Sequence, residues 1–136
     1  MFDKPFKLEI ITPSRVVFAD DALGVSAPGV EGGFQVLRDH ATLLSSLDPG
    51  RIKVLKADRS EILYATSGGV LEVFDNKVVV LAETAERADE INIDRARAAK
   101  ERAERRLRTH DPEVDVDRAA MALRRALNRL RVAERL

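Results

Sequence analysis

The chain has 136 residues, 45% of them hydrophobic, which is typical of one or two small folded domains. It contains no cysteine, which excludes disulfide frameworks and cysteine-ligated metal sites, and its two histidines lie far apart, which argues against a histidine-rich metal site. Basic and acidic residues number 23 each, so the net charge is zero, and this neutrality argues against a dedicated nucleic-acid binder.

Residues 1–85 predict a β-sheet domain. Short runs rich in β-branched residues recur at a spacing of about 8–12 residues, which is typical of a sandwich or barrel. No helical period interrupts them, so we expect an antiparallel β-sandwich rather than a parallel α/β sheet. Asp75 and Asn76 predict a tight hairpin turn, because both residue types tolerate positive φ. The predicted strands are Leu8–Thr12, Val16–Phe18, Leu23–Ser26, Phe34–Leu37, Ile52–Leu55, Glu61–Tyr64, Val70–Phe74 and Val78–Leu81.

No catalytic constellation emerges from this first half. The run Gly29–Gly33 lacks the Lys and Ser/Thr of a phosphate-binding loop and predicts a β-turn. Ser67–Gly69 lacks the upstream glycine of a nucleophile elbow and predicts a loop or bulge. Asp20 and Asp21 are interpreted as a solvated turn rather than a metal site, and His40 as a surface or structural residue rather than an acid–base group. We therefore do not expect an enzyme.

Residues 86–136 predict two helices joined as an antiparallel hairpin. Pro112 disfavours one continuous helix, and the short connection around it favours the antiparallel arrangement. Asn92 and Asp115 are the predicted N-caps. Apolar residues recur every three or four positions, first at Ala96, Ala99, Ala103 and Leu107, and then at Val116, Ala120, Leu123, Leu127 and Leu130.

The two halves carry opposite net charges. Residues 1–85 contain 9 basic and 12 acidic side chains, whereas residues 86–136 contain 14 basic and 11 acidic ones. Arginines dominate the last helix, where one stripe consists of Arg118, Arg125 and Arg129, and a neighbouring stripe of Arg124, Arg131 and Arg135.

These arginines have two interpretations. In an antiparallel hairpin, Arg95 and Arg102 of the first helix would face Arg125 and Arg129 of the second, and converging guanidinium groups repel one another unless an anion lies between them. One interpretation is a solvated face whose aliphatic stems cover the alanine-rich seam. The other is a binding surface for phosphate or for an acidic partner.

The order and spacing of short motifs resemble the epsilon subunits of F-type ATP synthases over essentially the whole chain. The family usually has Pro-Gly before His40, where this chain has Arg38-Asp39, and Thr42 stands where a proline is common. The motifs that carry the resemblance are Thr12-Pro13, Gly33–Leu37 with His40–Leu44, Ser67–Val73 with Ala85–Ala88, Arg95–Lys100, Ala103–Leu107 and Ala126–Leu130.

The resemblance implies a noncatalytic subunit of the central rotor stalk. In that family the β-sandwich, here residues 1–85, holds the gamma subunit and rests on the membrane-embedded c-ring. The helical hairpin, here residues 86–136, is a mobile regulatory element that inhibits ATP hydrolysis by reaching the alpha and beta catalytic subunits. The implied location is the cytoplasmic face of the inner membrane, through the complex alone. Attachment through the complex alone agrees with the short length of the apolar runs. Val78–Ala82, the longest, is far below the ~20 residues that span a bilayer.

The resemblance also implies ATP as a regulatory ligand, with no obligatory cofactor. Some bacterial members bind ATP through an Ile-Asp-x-x-Arg-Ala motif and further arginines. Asn92 stands where that motif has Asp. It can still cap a helix and accept a hydrogen bond, but it lacks the negative charge of the aspartate. The positions carried over are Glu86, Ile91, Asn92, Arg95, Ala96, Arg102, Arg125 and Arg129.

The residues alone leave a second function open, that of an adaptor which binds nucleic acid or another anionic surface through the arginine-rich last helix. Against it, the chain has one Tyr and no Trp, so platforms on which bases could stack are scarce. The resemblance implies no nucleic-acid partner.

Overall fold

The computed structural model describes residues 4–134. Along them, nine strands and a short 3₁₀ helix, Ala88–Glu90, precede two α-helices, α1 (Ile93–Arg108) and α2 (Val116–Ala133). The strands are β1 (Phe6–Ile11), β2 (Val16–Gly29), β3 (Gly32–Val36), β4 (Leu43–Leu47), β5 (Gly50–Lys56), β6 (Glu61–Thr66), β7 (Gly69–Phe74), β8 (Lys77–Ala82) and β9 (Ala85–Arg87).

Strand β2 connects the two layers of the sheet domain. Its first half pairs with β1 and its second half with β3 and β5, and the register shifts between Ala22 and Gly24. One layer therefore runs β4-β7-β8-β1 to the start of β2, and the other runs from the end of β2 through β5 and β6 to β9. Strands β1 and β8 pair in parallel, whereas the other described pairs are antiparallel. The predicted sandwich followed by two helices is confirmed.

Alternating apolar residues fill the space between the layers, because successive side chains of a strand point to opposite faces. Burying these side chains is the main source of the domain's stability. The largest of them are completely buried: Leu8, Ile10, Val25, Val36, Ile52, Val54, Tyr64, Leu71, Val73, Val78 and Val80.

The strand predictions were wrong at three places. Val16–Phe18 and Leu23–Ser26 belong to the single strand β2, so Asp20 and Asp21 lie exposed within a strand and form no turn. Strand β4 was missed because its serines weaken the strand pattern. Strand β9 was missed because three residues form a strand only through their pairing with β6.

A reciprocal pair of hydrogen bonds fixes the loop that lacks the family's Pro-Gly. Asp39 adopts φ 64°, the conformation that a glycine favours, and its backbone N–H donates to Asn76 Oδ1 at 2.6 Å. Asn76 Nδ2 donates to Asp39 Oδ1 at 2.9 Å, and Arg38 Nη1 donates to the Pro5 carbonyl at 2.8 Å. Asn76 itself lies in the predicted hairpin turn, which is confirmed by its φ of 58° and by 49° at Asp75.

The predicted loop at Ser67–Gly69 leads into β7, whose first residue must be glycine for a steric reason. Gly69 has φ 149°, and a Cβ at this position would collide with the carbonyl oxygen of Leu81 on β8. The other glycine-rich run forms a turn, because Val30 and Glu31 connect β2 to β3.

Local side-chain caps set the helix boundaries. Asn92 Oδ1 accepts from the Arg95 N–H at 3.0 Å, and Asp115 Oδ1 accepts from the Arg118 N–H at 3.1 Å, so both predicted N-caps are confirmed. Helix α1 ends at Arg108, before His110 turns to φ 52°.

The two helices pack together through alanines spaced by seven residues. The buried seam contains Ala96 and Ala103 of α1 and, on α2, Ala119, Ala126 and Ala133, with Leu130 beside them. The predicted α2 stripe was largely wrong, because Val116 is 61% exposed, Leu127 is 36% exposed and Ala120 is also exposed. The smaller alanines occupy the seam because they let the helix axes approach closely.

The chain divides into two compact units, residues 1–87 and 88–136. The sequence placed the boundary after residue 85. The sheet continues to Arg87, because β9 pairs with β6 through Glu86 and Arg87. No helix within residues 4–134 has the length and apolar character that crossing a membrane requires.

We expect Ala103→Leu to destabilise the hairpin by about 1–3 kcal/mol, because the larger side chain overfills a seam in which Ala103 is 3% exposed. Ala98→Leu is the matched control, since Ala98 is an exposed residue of the same helix. Thermal unfolding followed by circular dichroism measures both variants. Equal unfolding temperatures for the two variants would contradict the seam.

Candidate functional site

Six arginines line one side of the helical hairpin, and we call this side the arginine face. Each of them directly precedes a residue of the seam or its edge, as Arg95 precedes Ala96 and Arg125 precedes Ala126. A helical residue lies about 100° from its neighbour, so all six are displaced to the same flank of the seam, which is the same side of the pair when the helices are antiparallel. The six are Arg95, Arg102 and Arg106 of α1 and Arg118, Arg125 and Arg129 of α2.

The arginine face forms three rungs across the two helices. From the helix bounds and the short connection between the helices, we infer that Arg95 lies level with Arg129, Arg102 with Arg125, and Arg106 with Arg118. The steps along α1 are seven and four residues and those along α2 are four and seven, so successive rungs average about 8 Å apart. We number them from the start of α1: the first rung is Arg95–Arg129, the second is Arg102–Arg125 and the third is Arg106–Arg118.

Acidic residues are scarce along the arginine face, although Asp115 precedes Arg118 by three residues and caps α2. Between Arg118 and Arg129 helix α2 has no Asp or Glu at all. On α1, Glu104 follows Ala103 and Glu101 precedes it by two residues, so both are turned away from the face. The result is concentrated positive charge of the kind that binds phosphate or carboxylate.

These arginines are also accessible. All except Arg129 are exposed, and Arg129 is half-buried. Within residues 4–134 the five exposed guanidinium groups form no ion pair with a carboxylate. The convergence of Arg95 and Arg102 with Arg125 and Arg129 stays a prediction, and an anion could reach the exposed arginines from solvent.

The motif at residues 91–96 combines structural and accessible positions. Ile91 is 7% exposed and Ala96 is 0% exposed, so these two position the helix rather than offer atoms to a ligand. Asn92 is exposed, and its side-chain oxygen is engaged in capping α1. The start of α1 also presents the positive end of the helix dipole.

Three arginine positions and Glu86 lie elsewhere. Glu86 belongs to β9 of the sheet domain. Arg124 and Arg131 are exposed and lie on the other flank of α2 from the arginine face, and Arg135 lies outside the described residues.

Sequence reasoning missed one member of the face and left another without its counterpart on α1. Arg106 was overlooked, and Arg118 was assigned to a stripe of α2 without its counterpart on α1. The signal that would have found both is the position of each arginine just before a seam residue, Leu107 and Ala119 respectively. It could not be used because the seam of α2 had been assigned to other residues.

The outer face of β4, β7 and β8 is a second candidate surface, and we call it the apolar face. Val70 of β7 pairs with Leu81 of β8, which pairs with Ile11 of β1, so these side chains form one row across the layer. Its exposed large members are Leu44, Val70, Phe74 and Leu81, with exposures of 72, 37, 62 and 56%.

Charged side chains border the apolar face and also interrupt it. Lys77 Nζ lies 3.0 Å from Glu9 Oε1, and Glu72 stands between Leu44 and Val79 in the neighbouring row. Apolar residues exposed together and rimmed by charges are typical of a protein–protein contact.

Metal and acid–base chemistry find no support in the described residues. No group of three or more His, Asp or Glu within residues 4–134 is arranged to hold a metal ion. His40 is exposed, and its Nδ1 lies 2.7 Å from the Ala41 carbonyl oxygen.

Two family models match nearly the whole chain. The model described as "ATP synthase, Delta/Epsilon chain, beta-sandwich domain" matches residues 5–88. The model described as "ATP synthase, Delta/Epsilon chain, long alpha-helix domain" matches residues 89–134. These matches define the class of the protein as the two-domain delta/epsilon type.

Within this class, curated relatives identify the epsilon chain. The ATP synthase epsilon chain of Moorella thermoacetica is 50% identical over 105 residues, which are 77% of this chain and 78% of the relative. That of Pelotomaculum thermopropionicum is 49% identical over 107 residues, 79% of each chain. The chain belongs to the ATP synthase epsilon chain family.

Solved structures share the fold. A chain in the cryo-EM structure of the Euglena gracilis mitochondrial ATP synthase has a TM-score of 0.78 at 22% identity, covering 88% of this chain and 76% of that chain. A chain in the central stalk and c-ring structure of the Tetrahymena thermophila enzyme has a TM-score of 0.61 at 16% identity, covering 98% and 96%.

Proposed function

We propose that the chain is a noncatalytic rotor subunit of an F-type ATP synthase. In this proposal the sandwich couples the gamma subunit to the c-ring in the central stalk, and the hairpin contacts the alpha and beta catalytic subunits and inhibits ATP hydrolysis. The complex holds the subunit at the cytoplasmic face of the inner membrane. Membership of the epsilon chain family supports the stalk role, and the observation that carries the regulatory role is the exposed arginine face.

The apolar face of the sandwich is the surface that we assign to the gamma subunit. Leu44, Phe74 and Leu81 are each more than half exposed, and covering them would remove apolar area from water. The strands beneath belong to a rigid packed layer, so docking needs no reordering of the backbone.

We expect Leu81→Glu to weaken binding of the full chain to its gamma subunit by at least about tenfold, because it places a charge at the centre of a surface that docking would desolvate. Folding should be unaffected, since Leu81 is 56% exposed. The matched control is Val30→Glu, at a 52% exposed residue in the turn between β2 and β3. Calorimetric titration measures the affinities, and unchanged binding of Leu81→Glu would exclude this face.

The hairpin is suited to an acidic protein partner. The hairpin is a compact unit separate from the sheet domain, and it has a packed seam of its own. Its arginine face offers six guanidinium groups to carboxylates, and arginine binds carboxylates with two parallel hydrogen bonds. The negative charge that such a partner supplies would relieve the mutual repulsion of the rungs.

Deleting residues 88–136 should raise ATP hydrolysis by the assembled enzyme severalfold, because it removes the inhibitory hairpin and leaves the sheet intact to Arg87. The variant with Arg102→Gln and Arg125→Gln keeps the hairpin and should give part of the increase. Hydrolysis rates in purified enzyme measure both effects. An unchanged rate after the deletion would overturn the inhibitory role without touching the stalk role.

ATP is the regulatory ligand that we propose for the first two rungs. Arg95, Arg102, Arg125 and Arg129 supply positive charge for the phosphates, and the start of α1 adds the field of its dipole. Ile91 and Ala96 position this segment, and Asn92 stands at the motif's Asp position. Glu86, which the resemblance also assigns, belongs to the sheet unit. No obligatory cofactor is part of the proposal.

We expect the isolated chain to bind ATP, and Arg125→Ala to weaken that binding about tenfold through loss of a charge-assisted hydrogen bond. Arg131→Ala, at an exposed arginine on the other flank of α2, is the control and should change little. Asn92→Asp restores the motif and should strengthen binding. Isothermal titration calorimetry measures all four proteins, and binding unaffected by Arg125→Ala would contradict this site.

A further inference from the structure

The third rung is not used by the proposed nucleotide site. Arg106 and Arg118 continue the arginine face toward the connection between the helices, and both are exposed. On each helix the outermost arginines of the face are eleven residues apart, so the first and third rungs are separated by about 16 Å along the hairpin.

A triphosphate is too short to reach all three rungs. Its two terminal phosphorus atoms lie roughly 5 Å apart, whereas the average distance between neighbouring rungs is about 8 Å. A bound triphosphate and its flexible arginine partners can therefore engage two rungs. The third rung is then left without a phosphate. Asp115, three residues before Arg118, caps α2 through its Oδ1 and forms no ion pair with Arg118 within the described residues.

An anion that neutralises all three rungs must be long and densely charged. The five exposed arginines of the face form no ion pair with a carboxylate within residues 4–134, so about five negative charges are needed along about 16 Å. An extended acidic peptide directs one side chain to a given face only every ~7 Å, and supplies too few. A linear chain of phosphates carries a charge at every unit and offers oxygens for paired guanidinium hydrogen bonds.

Single-stranded nucleic acid matches the face less well. Its phosphates carry bases that bind best when they stack on aromatic side chains. Residues 86–136 contain no Phe, Tyr or Trp. The hairpin therefore offers positive charge to the phosphates of a nucleic acid, but no aromatic side chain on which its bases could stack.

We propose that the arginine face binds linear inorganic polyphosphate along all three rungs, with Arg106 and Arg118 contacting the phosphates that lie beyond the reach of a triphosphate. This inference rests on the proposed function, because the polyphosphate shares the first two rungs with ATP. Polyphosphate and ATP therefore compete for the hairpin, and the longer anion also contacts the arginines of the third rung.

The test is a titration of the full chain at low salt with three probes: ATP, inorganic tripolyphosphate, and linear polyphosphate of about six units, the length set by the rung spacing. We expect the six-unit chain to bind about tenfold tighter than tripolyphosphate, through the added charge-assisted contacts. The variant with Arg106→Gln and Arg118→Gln should lose this advantage while its affinity for ATP changes less than about twofold.

The matched control is the variant with Arg105→Gln and Arg131→Gln. It removes the same charge from exposed arginines outside the arginine face and should keep the advantage of the longer chain. Equal affinity of the wild-type chain for the two polyphosphates, or equal losses in both variants, would overturn the proposal. So would an oligothymidylate with six phosphates that binds as tightly as the six-unit polyphosphate. Polyphosphate binding that depends on the third rung, without any ATP binding, would refute the nucleotide site alone.

Discussion

The close contact of the two helices through alanine is the constraint on which the rest of the hairpin depends. Ala96 and Ala103 of α1 and Ala119 and Ala126 of α2 are buried where the two helices contact each other, and their small side chains leave room for little else between the helix axes. Because each arginine of the face precedes a seam residue or its edge, the seam also determines where the guanidinium groups lie. The same packing thus stabilises the fold and concentrates its charge.

Local interactions were the features that the sequence could predict. The caps at Asn92 and Asp115 and the turn at Asp75 and Asn76 each depend on residues within a few positions, so residue type is sufficient to assign them. The seam of α2 was not predictable in this way. Alanine and leucine recur on two neighbouring stripes of that helix, and only the packing partner decides which stripe is buried.

The sheet shows the same division between local and distant causes. Strand β9 exists because residues near 65 pair with it, and the parallel pairing of β1 with β8 joins segments about 70 positions apart. For the site, the arginines of two rungs were predicted from spacing and resemblance. The third rung could not be assigned before the seam was known, since Arg106 and Arg118 are distinguished from other surface arginines only by the residues that follow them.

The continuous strand β2 has a mechanical consequence for the sandwich. Its first half is hydrogen-bonded in one layer and its second half in the other, so a single covalent backbone joins the two. A shearing force that enters through the apolar face reaches the opposite layer along peptide bonds as well as through side-chain contacts. The two layers should therefore turn as one stiff body, and slippage between them would require bending β2 at its irregular register near Leu23.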